Sequence, residues 1–323
     1  MIDPKFIYEG KLRSSIDEAI SYIRENGYSA SLFESPEKDL VFPDGTNLRE
    51  SLVVTDDIAV TKKALDMGAY TVGMLHDGNK GATFEGTKYI FSDIGKVDID
   101  SYVKVYQRYA GEPWEMMRTE RLIIRETTVD DVDEFYEIYK DPEITRYLEG
   151  LFDDPADEKR YQKDYIEKVY GLMGFGVWTL VRRSDGRIIG RAGFSVRNGF
   201  DEVELGFIIG TEFQRQGYCL EACRAILEYG RKVLEFDKVQ TLVKEGNTVS
   251  LHICEKLGFK RIEEVEVEEN IYGDTYREGR QAGRASQTYG RYVRMLMTLG
   301  TVANYLSHVT CLLSRQLRQK ASP

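Results

Sequence analysis

The sequence predicts two α/β units in tandem, a smaller parallel one followed by a larger one with a binding loop. Residues 1–115 alternate apolar, β-rich runs with stretches of helical spacing, which is typical of parallel α/β folds. Gly111-Glu112-Pro113-Trp114 interrupts this pattern and marks a boundary. Residues 202–259 then hold a strand, a polar turn, a helix, a strand and a second helix in succession. At 323 residues the chain exceeds one average domain.

The first unit begins with a helix over residues 14–25, whose apolar side chains share one face and which ends at Asn26-Gly27. Strands are predicted over 51–55, 70–75 and 88–91, and further helices over 58–67 and 99–109. Short turns separate these elements, as expected where crossover helices join parallel strands.

The run VVTDDIAVTKKALDMGAYTVGMLHDGN, residues 53–79, resembles the last third of a haloacid-dehalogenase-like phosphatase. Such enzymes need an aspartate nucleophile in an Asp-x-Asp-Gly-Thr turn. The nearest candidate turn, residues 42–46, carries Phe42 at that position, and phenylalanine cannot form an aspartyl phosphate. We therefore expect this unit to be a non-catalytic accessory domain. Asp56, Asp57 and Asp93 have oxygens for a divalent cation, but acidic strand ends that face solvent are the simpler interpretation, and we predict no metal site.

The second unit contains a turn suited to an anion. A strand over 202–209 runs into polar residues 211–216, and an amphipathic helix follows Gly217. The first N–H groups of a helix have no internal partner and lie at the positive end of its dipole. Glycine at this point lets the backbone approach a phosphate closely.

The order Gln214, two residues, Gly217, one residue, Cys219 resembles the pyrophosphate loop of the GNAT superfamily of N-acetyltransferases. Downstream, Asn247 and Ser250 lead into residues 255–259, EKLGF, which resemble the second signature of the same family. The run TERLIIRE, residues 119–126, is similar to the opening strand of the GNAT fold in the branch of ribosomal-protein alanine N-acetyltransferases. The resemblance implies a GNAT fold over residues 116–278, in which helices flank a mixed, mostly antiparallel central sheet.

The remaining elements of this unit fit that architecture. Helices are predicted over 129–139 and 157–170, with a short piece over 144–148, and strands over 176–183 and 188–196 form a hairpin through Ser184-Asp185-Gly186. In the family the helices and their connection form one wall of the acceptor pocket.

The resemblance also implies that acetyl-CoA is the acetyl donor and indicates which residues hold it. The expected cofactor contacts are Phe207, Ile208, Ile209, Gln214, Arg215, Gln216, Gly217, Tyr218, Cys219, Asn247 and Ser250. Two of them have simpler alternatives. Asn247 is a good N-cap for the helix that follows it. Arg215 is equally well explained as an exposed arginine in the first turn of a helix.

Two residues are candidates for catalysis. Glu204 lies on the strand beside the expected reaction centre, where a carboxylate could take a proton from an ammonium group, although it could equally be structural. Cys254 stands where many family members place a tyrosine as proton donor. A small residue buried in a helix is the alternative explanation for this cysteine.

Composition and charge limit the partners. A net charge of -10 argues against nucleic acid, since phosphate backbones require clustered lysine and arginine. Four cysteines without metal or redox spacing and an N-terminus unlike a signal peptide favour the cytoplasm. Seven basic and no acidic residues follow Glu278, where we expect a strand over 289–297 and a helix over 302–317 in a basic C-terminal segment, 279–323. Polar residues within 295–314 argue against a membrane span.

The leading functional hypothesis is an acetyl-CoA-dependent N-acetyltransferase that acetylates a primary amine, on a protein N-terminus or a small molecule, by direct attack in a ternary complex. The alternative is a non-catalytic acyl-CoA-binding sensor or scaffold, motivated by Cys219 and Cys254. A phosphatase is a third reading, with Phe42 as the contrary evidence. A homodimer stays open, because the sequence does not specify the oligomeric state.

Overall fold

The computed structural model describes residues 5–7, 13–33, 42, 46–269, 276 and 288–300. The chain divides into two compact units, Met1–Trp114 and Glu115–Pro323. This division lies at the sequence break around Gly111, which adopts a left-handed conformation and ends the last helix of the first unit. None of the described helices is both long and apolar enough to cross a bilayer.

The first unit is built on a five-stranded parallel sheet, as the alternation of elements predicts. Its elements are β1 Lys5–Ile7, α1 Arg13–Glu25, β2 Ser31–Phe33, β3 Leu52–Thr55, α2 Ile58–Asp66, β4 Tyr70–Met74, β5 Tyr89–Phe91 and α3 Ile99–Ala110. The strand order is β2-β1-β3-β4-β5, and every neighbouring pair is parallel.

Both faces of this sheet are covered. Val54 and Val72 face a core shared with Ile16 of α1 and Tyr102 of α3. The alternate residue of β3, Val53, packs on the other face. Continuous burial of β3 is what a parallel sheet with helices on both faces requires.

Phe42, which stands at the expected nucleophile position of the phosphatase-like turn, packs against the cluster of Val53, Ala64 and Ala69. Residues 43–45 of that turn lie outside the described residues. The resemblance of this unit to phosphatases remains a prediction.

The acidic residues that follow the strands have local structural partners. Asp57 caps α2 by accepting from the Val60 N–H, and Asp93 accepts from the Gly95 N–H. Asp56 lies 3.1 Å from Nε2 of His76. Among the described residues no three histidine, cysteine or carboxylate side chains come together as a metal site would require.

The second unit is built on an eight-stranded, mostly antiparallel sheet. Its strands are β6 Glu115–Arg118, β7 Leu122–Arg125, β8 Val177–Arg182, β9 Ile188–Ser195, β10 Val203–Ile209, β11 Lys238–Lys244, β12 Lys260–Glu269 and β13 Thr288–Thr298. Its helices are α4 Asp131–Tyr139, α5 Pro142–Thr145, α6 Pro155–Tyr165, α7 Gly171–Met173, α8 Tyr218–Lys232 and α9 Thr248–Leu257. The order is β12-β13-β11-β10-β9-β8-β7-β6, in which β10 and β11 form the parallel pair. This arrangement is the expected GNAT fold.

Three elements of the second unit differ from the sequence prediction, and the short strands β1 and β2 of the first unit were not predicted. Strand β6, which pairs with β7, precedes the first strand that the sequence predicts. Strand β12, which pairs with β13, spans ten residues for which the sequence predicts no helix or strand. The helix predicted over 157–170 ends at Tyr165 and continues as a π-helical turn, Ile166–Tyr170. The widened turn places Tyr170 in the core, where its hydroxyl donates to the Val177 carbonyl. The predicted last strand is β13, and the predicted helix over 302–317 lies outside the described residues.

The two faces of the sheet have different roles. Leu205 and Ile209 of β10 pack against Ala222 and Ile226 of α8. Successive side chains of a strand alternate between faces, so Glu204 and Ile208 point to the opposite side. Helix α4 covers that side at β9, where the Arg191 guanidinium lies 4.5 Å from the Phe135 ring centre.

A buried ion pair fixes α4 to the sheet. Arg125 of β7 donates to both carboxylate oxygens of Asp131, over 2.6 and 2.7 Å, and Thr179 of β8 donates to Oδ2. The Asp131 side chain is 5% exposed. Burial alone would raise the pKa of this carboxyl, but the hydrogen bonds from Arg125 and Thr128 hold it below its ordinary value.

We expect Asp131→Ala to lower the free energy of unfolding of the second unit by about 3 kcal/mol, because it leaves the partly buried Arg125 without its partner. Asp133→Ala on the same helix removes an exposed pair with Lys159 and should cost less than about 1 kcal/mol. Urea unfolding of both variants measures the difference. Since the folded-state pKa of Asp131 is depressed, its contribution is present at neutral pH and disappears as the pH falls through that pKa. Equal losses in the two variants would contradict this account.

Candidate active site

A wedge-shaped gap opens between the two parallel strands at the centre of the second sheet. Strands β10 and β11 pair only at Val203–Val239 and Glu204–Gln240, near their N-terminal ends. Beyond this point β10 remains paired with β9 as far as Ile209, and β11 remains paired with β13 as far as Lys244. The two strands therefore continue and diverge, and the sheet is open between them.

Along β10, the backbone N–H and C=O groups point alternately to β9 and to the gap, and the hydrogen bonds with β9 show which residues face which side. Gly210 N–H donates to the Ile189 carbonyl over 2.9 Å, so even-numbered residues of β10 pair with β9. The backbone groups of Leu205, Phe207 and Ile209 consequently point towards β11. Ile208, one of the expected cofactor contacts, does not offer its backbone to the gap, because its N–H and C=O belong to the ladder with Arg191.

The loop that follows β10 is held by its own side chains. A 3₁₀ turn, Thr211–Phe213, buries the ring of Phe213. Gln214 Nε2 then donates to the Ile209 carbonyl, and Gln216 Nε2 donates to the Glu212 carbonyl, each over 2.9 Å. Gly217 has a φ of +84°, a conformation that glycine adopts without strain. Two predicted cofactor residues, Gln214 and Gln216, thus use their side-chain amides to shape the loop.

Helix α8 begins without a side-chain cap. Gly217 is its N-cap residue and has no side chain, and Glu221 is the first residue whose N–H bonds back, to the Gly217 carbonyl over 3.1 Å. The N–H groups of Tyr218, Cys219 and Leu220 precede that bond. Nothing in the described part of the chain caps them through a side chain, so they are placed to bind an anion.

Helix α9 shows the opposite arrangement. Asn247 Oδ1 accepts from the Ser250 N–H over 3.1 Å and caps the helix. The N-cap interpretation of Asn247 is therefore the one that the geometry supports, and the backbone of Ser250 is its partner. Both residues still lie at the C-terminal end of β11, beside the gap.

A partly buried carboxylate anchors the start of α8 to the first strands of the sheet. Glu221 Oε1 accepts from Thr119 Oγ1 over 2.6 Å and from the Arg121 N–H over 2.9 Å. Arg121 Nε donates to Oε2, and Arg121 Nη1 donates to the Gln216 carbonyl. The loop and the helix start are thereby fixed to β7. The sequence predicts only a strand for the run TERLIIRE and gives no sign of this role of Thr119 and Arg121.

Glu204 lies on the opposite face of the sheet and is paired. Arg197 Nε donates to its Oε2 over 2.7 Å, and the residue is 7% exposed. Burial raises the pKa of Glu204, while Arg197 acts in the other direction and Glu149 adds to the increase. This environment favours a carboxylate that binds a proton more readily than usual.

A group of polar side chains that the sequence did not single out shares the neighbours Arg197 and Glu149 with Glu204. Tyr292 of β13 donates to Glu269 of β12 over 2.7 Å, and Lys244 of β11 pairs with the same carboxylate. Arg197 and Glu149 both act on the pKa of Tyr292. These side chains come from distant segments and one unpredicted strand, so no local pattern marked them. Together they form a polar wall on the Glu204 side of the sheet.

Residues 121–260 match the family model described as the acetyltransferase (GNAT) domain. Residues 121–260 are a GNAT acetyltransferase domain. The uncharacterized N-acetyltransferase p20 of Bacillus licheniformis is 26% identical over 46% of this chain and 83% of its own length. The uncharacterized N-acetyltransferase YnaD of Bacillus subtilis is 29% identical over 44% of this chain and 81% of its own length. The protein is accordingly an acyltransferase.

Solved structures similar to the chain include the GNAT-family acetyltransferase from Bacillus anthracis, with 20% identity and a TM-score of 0.42 over 57% of this chain and 98% of that one. A second is a putative ribosomal-protein-serine acetyltransferase from Vibrio cholerae, with 17% identity and a TM-score of 0.44 over 56% and 95% of the two chains.

Within the GNAT domain, Cys254 is poorly placed for proton donation. Its side chain is buried in the core of the unit, and burial raises the pKa of the thiol to about 12. An acid this weak does not readily protonate a thiolate whose own pKa lies near the ordinary thiol value of about 8.5. The structural interpretation of Cys254 is therefore favoured over the catalytic one.

Cys254→Ala should leave kcat within about twofold and lower the stability of the GNAT domain by about 1 kcal/mol, the scale of a small truncation in a core. Steady-state kinetics and thermal unfolding measure the two effects. A loss of kcat of a hundredfold or more in a variant that is still folded would restore the catalytic interpretation.

Gly217→Ala should weaken the binding of a diphosphate-bearing ligand, for which coenzyme A is the probe, about tenfold, equivalent to about 1.4 kcal/mol. A Cβ at this position would lie 3.4 Å from Arg121 Nη2 and crowd the free N–H groups at the start of α8. It would also disfavour the positive φ of residue 217. The matched control is Gly258→Ala, where φ is +105° and the Cβ would make an ordinary 3.7 Å contact with Met297. Calorimetric titration of both variants should give weakened binding only for Gly217→Ala. Equal affinities would contradict the assignment of the loop.

Proposed function

We propose that the chain is an acetyl-CoA-dependent N-acetyltransferase that acetylates a primary amine, on a protein N-terminus or a small molecule. The amine would attack the thioester directly in a ternary complex. The proposal rests above all on one observation, that the gap between β10 and β11 adjoins the uncapped start of α8. A long ligand with an anionic group part-way along its length fits this combination.

Coenzyme A matches the groups that the chain offers. The N–H groups of Tyr218, Cys219 and Leu220, with the positive end of α8, suit its diphosphate. The amides of its pantetheine arm can complete the backbone pairing that Leu205 and Phe207 lack towards β11. Bound in this way, acetyl-CoA supplies the acetyl group as a thioester.

The same strand orients the reacting carbonyl. The N–H groups of Phe207 and Ile209 point into the gap, and either can donate to a thioester oxygen as negative charge develops on it. Fixed donors of this kind need no rearrangement during the reaction.

Glu204 is the proposed proton acceptor for the incoming ammonium group. Arg197 hydrogen-bonds to Oε2, so Oε1 can receive a proton from the amine or from an intervening water. The raised pKa makes Glu204 a stronger base than an exposed glutamate, while the hydrogen bond from Arg197 favours its charged form.

The direct test is acetyl-CoA consumption by the purified full chain with a panel of primary amines and peptides with free N-termini. Turnover with at least one amine supports the proposal. Binding of coenzyme A without turnover would favour the sensor or scaffold alternative, and the absence of binding would reject both. We place the reaction in the cytoplasm. Cys219, Cys223 and Cys254, which lie in the described part of the chain, are free thiols, and the cytoplasm is a reducing compartment in which thiols persist.

Glu204→Gln should reduce kcat/KM about a hundredfold, the usual scale of a general base. In the wild type, kcat/KM should fall as the pH drops through the raised pKa of Glu204, and this acidic limb should be absent in the variant. Glu202→Gln is the control, since Glu202 lies on the same face of the sheet and pairs with Arg294. A similar loss in both variants would assign Glu204 a structural role.

A further inference from the structure

Gly206 lies in the middle of β10, where the fold itself does not require a glycine. Glycine inside a strand weakens the strand, and it usually marks a β-bulge or a place where another group approaches the backbone closely. The β9–β10 ladder passes Gly206, which pairs with Gly193, without a shift of register. The φ of Gly206 also lies outside the left-handed region, so alanine could adopt the same conformation.

The other glycines in the described strands do have a local reason to be glycine. A Cβ at each of them would come too close to a neighbouring atom; they are Gly73, Gly190, Gly193 and Gly290. At Gly193, for example, the Cβ would collide with the Gly176 carbonyl oxygen. At Gly206 a Cβ would meet no described atom within 4 Å, and the residue is partly exposed. The space above Gly206 is therefore open and accessible.

This open space lies between the groups that the proposed reaction needs. Side chains of a strand alternate between its two faces, so Gly206 shares its face with Glu204 and Ile208, each about 7 Å away along β10. The N–H group of the next residue, Phe207, points into the gap between β10 and β11. An amine above Gly206 is thus flanked by the proposed proton acceptor on one side and by a proposed donor to the thioester oxygen on the other.

We propose that Gly206 is the floor on which the acceptor lies, and that it determines which amines fit. The carbon that carries the amine rests on the bare backbone of Gly206, and the nitrogen lies between Glu204 and the thioester. A side chain at residue 206 would occupy the same space. The inference rests on the proposed function and adds to it a residue that selects the acceptor. Since glycine makes the strand less stable than alanine would, the ligand rather than the fold accounts for this residue.

The test compares the full chain with its Gly206→Ala and Gly206→Val variants in acetyl-CoA consumption. The panel of primary amines includes 1-aminobutane and its isomer 2-aminobutane, which has a methyl branch on the carbon next to the nitrogen. We expect kcat/KM for the amine to fall about tenfold in Gly206→Ala and about a hundredfold in Gly206→Val, the scale of added carbon atoms in a close-fitting pocket. The loss should be larger for 2-aminobutane, and calorimetry should give an unchanged affinity for coenzyme A.

Thermal unfolding separates this role from a structural one. Gly206→Ala should raise the Tm of the second unit by about 2 °C, because alanine suits a strand better than glycine and meets no neighbour there. Gly193→Ala is the opposite control and should lower the Tm, since its Cβ has no room. Gly81→Ala, in an open position of the first unit, should change neither amine kinetics nor coenzyme A binding.

Each result decides between the explanations. Unchanged amine kinetics in both variants of Gly206 would overturn the inference and leave the proposed function intact. Weaker coenzyme A binding in parallel with lost activity would assign the glycine to the cofactor, and a lower Tm would assign it to the fold; either result also overturns the inference. A wild type that acetylates no amine of the panel would reject the proposed function itself.

Discussion

Incomplete pairing of β10 with β11 is the constraint on which the rest of the GNAT domain depends. Two parallel strands at the centre of a sheet normally satisfy each other along their length, yet these two share only two paired positions. Each is held on its other side by a complete antiparallel ladder. The unpaired backbone groups are therefore fixed in position by rigid neighbours, which is the preorganisation that a binding strand requires.

The helix start depends on a second set of fixed contacts. An uncapped N-terminus with two residues of positive φ just before it, Arg215 and Gly217, would be mobile by itself. The buried ring of Phe213 holds one side of the loop, and Glu221 with Arg121 holds the other. The interactions that replace a cap thus lie outside the first turn and leave its N–H groups accessible.

Local patterns predicted the binding loop well, because a strand, a glycine turn and an amphipathic helix are each encoded over a few adjacent residues. The hairpin at Gly186 and the strands β3, β4 and β5 of the first sheet were predictable for the same reason, whereas the three-residue strands β1 and β2 were too short to be predicted. Strand β12 was not, since seven of its ten residues are charged and its apolar residues give little periodicity. The contacts of Glu204 with Arg197, and of Tyr292 with Glu269, join segments far apart in sequence, so only the folded chain brings them together.

Strand β12 also shapes how copies of the protein meet. It lies at one edge of the described sheet and carries five glutamates, at positions 263, 264, 266, 268 and 269. Like charges repel when two such edges approach, so continuous sheets across two molecules are disfavoured through this strand. Acidic residues that made the strand hard to recognise therefore protect a long exposed edge from self-association, and they direct any pairing of protomers to other surfaces.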